Sequence, residues 1–116
     1  WQSYGLFSFL AGVRNYYDIE PISKPRELPD NINLDIKIKY DILKSIGYIH
    51  SDSYLTLKEL LDFDYSENFT NQREGEDYGK IMSYRDLLGD RYFKNLEELK
   101  QLGYPNKVRI VFWFDN

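Results

Sequence analysis

The sequence predicts an α+β fold, with several short helices packed on a small sheet that includes the C-terminal strand. Three observations carry that expectation. Val108 to Phe114 alternates into two faces that are almost wholly apolar, with only Arg109 polar, which is the pattern of a strand covered on both sides. Thr56-Leu57-Lys58-Glu59 is a capping box, in which the hydroxyl and the carboxylate each satisfy an orphan amide at a helix start. Leu34, Ile38 and Ile42 recur every four residues between a capping Asn33 and a terminating Gly47. At 116 residues the chain has the size of one domain, so a single unit over residues 1–116 is expected.

The elements follow in chain order. Ser3 suits the N-cap of a short buried helix, in which Leu6, Phe7, Leu10 and Val13 recur at helical spacing before Gly12 ends it. From Arg14 to Asn33, Pro21, Pro25 and Pro29 remove backbone donors and favour an extended loop, with Tyr16, Tyr17, Ile19, Ile22 and Leu28 available to pin it. The next segment is helical from Asn33 to about Ile46, although Ile36 to Tyr40 also alternates like a strand. His50-Ser51-Asp52-Ser53 reads as a polar loop ahead of the Thr56 cap, and the capped helix runs to about Asp62.

Residues 68–82 hold a polar turn centred on Gly75, flanked by Phe69 and Ile81, as in a small exposed hairpin. Ser83 and Asp86 start a turn of helix that reaches Leu88 before Gly89. A further helix from Asp90 to Leu102 buries Phe93, Leu96 and Leu99 and stops at Gly103 and Pro105. The buried C-terminal strand then needs neighbours, and the candidates are the polar hairpin or a strand preceding Trp1.

The net charge of −4 and the lack of a Lys/Arg run argue against binding duplex nucleic acid, whose affinity comes from neutralising phosphates. Without cysteine the chain has no disulfide, no thiolate nucleophile and none of the usual structural zinc frameworks, which fits a reducing, cytoplasmic setting. The apolar run from Leu6 to Val13 is far short of the ~20 residues that span a bilayer, so no membrane partner is expected. The opening on Trp1 suggests residues ahead of it.

Two groups of residues carry candidate chemistry. Arg14 and Arg26 bracket the proline-rich loop beside Asn15, Tyr16 and Tyr17, and guanidinium forks next to aromatic rings suit a phosphorylated or nucleobase-containing ligand. The plainer role is that each arginine pairs with a carboxylate or carbonyl to hold the loop. His50, the single histidine, sits with Ser51, Asp52 and Ser53 in a polar run that suits ligand binding or, with Asp52, general base chemistry. The plainer role here is a set of side chains tying the loop to backbone amides. Adjacent residues do not reach triad geometry, no phosphate-binding glycine loop is present, and no spacing points to a metal set or a cofactor.

The segments Leu6 to Asn15, Pro21 to Asp30, His50 to Thr56 and Val108 to Asn116 together resemble a family of small uncharacterised proteins from bacteriophages and bacterial genomes. The resemblance implies an additional strand ending near Trp1 as a neighbour of the C-terminal strand. It also implies a second histidine where this chain has Asp52, a departure that weakens a metal site. The resulting expectation is a non-catalytic binding protein of phage or prophage origin with a possible anti-defence role, its ligand being a host protein or a small nucleotide. The alternatives are a small hydrolase or nuclease using His50 and Asp52, and a structural subunit whose aromatic strand edge makes a homo-oligomer.

Overall fold

A computed structural model describes residues 4–115. The Ser3 cap and everything at Trp1 lie outside the described residues. The elements are α1 (Tyr4–Ala11), α2 (Leu34–Ser45), β1 (Ile49–Thr56), α3 (Leu57–Asp62), β2 (Asn68–Thr70), β3 (Ile81–Ser83), α4 (Tyr84–Leu99) with a 3₁₀ turn at Lys100–Leu102, and β4 (Arg109–Asp115). The α+β expectation holds, as two small antiparallel sheets, β1 with β4 and β2 with β3, surrounded by helices. No helix among the described residues is long and apolar enough to cross a membrane.

Local sequence sets most of the element boundaries. Asn33 accepts a hydrogen bond from the Asp35 amide to start α2. Thr56 and Ser83 each form a complete capping box, with Glu59 and Asp86 as the reciprocal partners. The two helical stretches expected either side of Gly89 are both present within α4, and Gly89, at a non-helical φ 78° and ψ 169° that suits glycine, breaks the helix between them. The β2–β3 hairpin forms as expected, Phe69 opposite Met82.

The neighbour of the C-terminal strand is the main correction. Among the described residues it is not the hairpin but β1, the segment expected to be a loop; a strand ahead of Trp1 lies outside the described residues. Thr56 pairs with Arg109, Leu55 with Ile110, Tyr54 with Val111 and Ser53 with Phe112, then the register slips. Ser51 and Asp52 on β1 oppose Trp113 alone before His50 meets Phe114. That is a β-bulge, and Ser51 takes a left-handed φ of 54° within it. The polar run at its centre hid the strand, because Asp52 and Ser53 are held there by hydrogen bonds from α2 and the loop, while only Ile49 and Leu55 near its ends are buried apolar residues.

The core is aromatic. Phe9 of α1 lies with its ring centroid 5.0 Å from Phe63, 5.7 Å from Tyr65 and 6.2 Å from Tyr92, mostly edge to face. Leu55, Leu57, Leu60, Leu88 and Leu96 complete it. Tyr65 donates to the Leu60 carbonyl and its oxygen lies 2.6 Å from that of Tyr92, so both buried hydroxyls are satisfied. Burial pushes the Tyr65 pKa up to about 12 and that of Tyr92 higher still. In α1 the fully buried positions are Ser8 and Phe9, whereas Leu6, Phe7 and Leu10 are partly covered. Gly5 lets α1 approach α4 closely, since a Cβ there would lie 2.9 Å from Leu87 Cδ1 and 3.1 Å from the Leu87 carbonyl oxygen.

Candidate functional site

Residues 26–28 of the loop between α1 and α2 lie along β1. The Arg26 amide donates to Ser53 Oγ at 2.9 Å, the Glu27 amide to the Asp52 carbonyl at 2.9 Å and the Leu28 amide to Asp52 Oδ2 at 3.2 Å. Ser53 and Asp52 are therefore anchors for the loop backbone. Glu27 turns there with a left-handed φ of 66°.

Arg26 binds the α3 cap. Its Nη1 and Nη2 reach Glu59 Oε1 and Oε2 at 2.8 and 2.5 Å, its Nε donates to Ser23 Oγ at 3.1 Å, and its guanidinium carbon lies 5.5 Å from the centre of the Tyr54 ring. The hydrogen bond from Arg26, helped by those from the Thr56 amide and hydroxyl, outweighs partial burial and lowers the Glu59 pKa to about 2.

Arg14 is elsewhere. Its Nη2 lies 3.3 Å from the Asp115 carbonyl and its guanidinium 5.8 Å from the centre of the Phe7 ring. Arg26 touches the strand at Tyr54, opposite Val111, while Arg14 touches it at Asp115. Those contacts are four residues apart on β4, about 13 Å at ~3.3 Å per residue. The two arginines do not face one ligand.

Asn15 is consumed in its own turn, donating through Nδ2 to the Ile19 carbonyl at 2.7 Å and accepting the Ile19 amide at 3.1 Å. Tyr16 and Tyr17 do meet an arginine, but it is Arg73 of the β2–β3 loop. Its guanidinium lies 5.5 Å from the rings of Tyr4 and Tyr17 and 6.0 Å from that of Tyr16, and its Nη1 donates to the Tyr17 hydroxyl at 3.0 Å. An open cleft of about 430 Å³ beside it is lined by Tyr4, Tyr16, Gln72, Arg73 and Glu74. Arg73 escaped the sequence reading because it sits in a polar hairpin, where an isolated arginine carries no local signal.

His50 and Asp52 fall on opposite faces of β1, since the bulge reverses the alternation that would put positions i and i+2 together. The His50 ring sits 6.3 Å from that of Phe114, and its Nδ1 lies 2.9 Å from Ser51 Oγ. Asp52, 3% exposed, faces α2 and accepts from Lys44 Nζ at 2.9 Å and the Tyr40 hydroxyl at 2.9 Å. Burial favours its protonation, but the bonds from Lys44 and Tyr40 together outweigh that and leave its pKa below the usual value. A carboxylate held charged by an ammonium and a phenol is a weak base. Tyr40 and Lys44, four apart on one side of α2, were the available sequence signal for this clasp.

That clasp turns the opposite side of α2 outward. The helix has no buried residue, and Leu34, Ile38, Ile42 and Ile46 are 69, 50, 58 and 69% exposed. Ile36, one turn before Tyr40 on the other side of the helix, is also exposed. Among the described residues no three His, Asp or Glu side chains form a metal-binding group. No family model, curated protein or solved structure matches the chain.

Proposed function

We propose that the protein is a non-catalytic binding protein whose contact surface is the outward face of α2 and whose partner is a host protein. The observation that carries this reading is the stripe of Leu34, Ile38, Ile42 and Ile46 on a helix held to the rest of the fold mainly by the Asp52 clasp and Tyr40 against Trp113. Contiguous exposed aliphatic side chains mark interaction sites. Four-residue spacing makes a ridge that fits the groove of a partner helix or helix pair. Binding through side chains also agrees with the fate of Arg14, Arg26, Asn15 and Asp52, all engaged in bonds within the chain. The phage or prophage setting, and a defence component as the first partner class to test, rest on the family resemblance alone.

The test compares the immobilised wild-type chain with Ile38→Lys/Ile42→Lys and with Arg14→Lys/Arg26→Lys in capture from bacterial lysate, read by mass spectrometry. The expected result is a defined protein retained by the wild type, lost by the α2 variant and kept by the arginine variant. Retention indifferent to Ile38 and Ile42 contradicts the reading. A nucleotide released from the wild type and absent from the arginine variant would replace it with the small-ligand function.

A further inference from the structure

The two edges of the β1–β4 sheet differ. The outer edge of β1 is covered by the proline-rich loop, through the Glu27 amide on the Asp52 carbonyl. The outer edge of β4 has no strand partner among the described residues. The Leu57 amide donates to the Val108 carbonyl at 2.8 Å, so alternation directs the main-chain groups of Val108, Ile110 and Phe112 toward β1. Those of Arg109, Val111 and Trp113 then point outward. The Asp115 carbonyl, which accepts Arg14 from outside the sheet, fits the same alternation.

Exposed edges are ordinarily blunted by lysine, proline, a bulge or short length. β4 has seven residues, five of them consecutive and apolar, and the bulge lies on β1. Its sequence, Arg109-Ile110-Val111-Phe112-Trp113-Phe114-Asp115, is complementary to itself when reversed about Phe112. Antiparallel pairing centred there sets Arg109 opposite Asp115, Ile110 opposite Phe114 and Val111 opposite Trp113, twice by symmetry. Opposite charges and aromatic with β-branched residues are the favourable cross-strand pairs. The residues set opposite one another with outward-pointing groups, Val111 with Trp113 and Arg109 with Asp115, are those that exchange hydrogen bonds in such a ladder.

We infer that the outer edge of β4 pairs antiparallel about Phe112 with the same edge of a second copy of this chain, joining the two sheets into one continuous sheet. The groove of about 380 Å³ alongside, lined by Leu6, Leu10, Phe112 and Phe114 among others, takes apolar side chains from the second copy. Arg109 is already bonded to Asn31, through Nη1 to Oδ1 at 2.8 Å and Nη2 to the carbonyl at 3.1 Å. A guanidinium has five N–H donors, so these bonds leave donors for the carboxylate of the copy.

Sedimentation equilibrium of the wild-type chain should show a concentration-dependent dimer. Arg109→Asp or Asp115→Arg alone sets like charges opposite each other and weakens association about ten-fold or more, and the double variant restores it. Val111→Pro removes an outward N–H without touching the β1 ladder, so the thermal melt persists while the dimer is lost. Ile38→Lys/Ile42→Lys leaves the dimer intact, which separates this inference from the α2 contact surface. A chain monomeric at every concentration, single charge reversals not rescued by the double, a Val111→Pro chain that fails to fold, or a dimer abolished through α2 overturns it.

Discussion

Arg26 grips Glu59 with both arms of its guanidinium, at 2.8 and 2.5 Å, and so ties a proline-rich loop to the N-terminus of α3. The bidentate pair does two jobs, since the same carboxylate also accepts the Thr56 amide at 3.1 Å to complete the capping box. Lysine supplies the charge without the fork. Arg26→Lys should therefore lower the melting temperature, a result that a purely ligand-binding arginine would not give.

The pH dependence of that contact has a definite sign. The folded-state pKa of Glu59 is lowered from 4.5 to about 2, so its contribution is fully present above 4.5 and is lost as pH falls through about 2. Both side chains are about one-third exposed, 31 and 34%, so solvent screening limits the pair to about 1 kcal/mol. Glu59→Gln should be less stable than wild type by about that amount near neutrality, with the gap closing in acid. Urea denaturation across this pH range measures it; a gap independent of pH would show that the ion pair contributes nothing.

Thr56→Ala removes the hydroxyl that accepts the Glu59 amide at 3.1 Å and should cost about 1 kcal/mol. Because the carboxylate of Glu59 remains held by Arg26, the loop should stay in place. A shift in denaturation midpoint without a change in slope is the expected signature.

Asp52→Ala takes the acceptor from Lys44, the Tyr40 hydroxyl and the Leu28 amide at once. Losing three bonds to one buried carboxylate, two of them from neutral donors that water can partly reach, should cost about 1–3 kcal/mol. The loss should concentrate on α2, which has little else to hold it, so hydrogen exchange of the α2 amides should accelerate far more than that of α4. Equal acceleration in both helices would contradict the clasp.

Truncation before Arg109 removes Phe114, whose ring packs 5.2 Å from that of Phe7 on α1, and removes the only strand paired with β1 among the described residues. Each large side chain withdrawn from burial forfeits ~1.5–3 kcal/mol. The truncated chain should show no cooperative thermal transition by circular dichroism.

The sequence by itself determined what depends on near neighbours along the chain. The caps at Asn33, Thr56 and Ser83, the stops at Gly47 and Gly103, the proline-rich loop and the apolar β4 are set by side chains within a few residues of the backbone groups they satisfy. Tertiary structure decided what depends on distant partners. β1 is a strand because β4, the loop amides and α2 together satisfy a run of polar residues with no apolar periodicity to announce it. The bulge then separated His50 from Asp52, and strand placement separated Arg14 from Arg26 while the hairpin brought Arg73 to Tyr16 and Tyr17. The face that α2 turns outward was settled the same way. Periodicity identifies a helix, but here a buried carboxylate gripping Tyr40 and Lys44 chose its inner side and left the aliphatic ridge exposed.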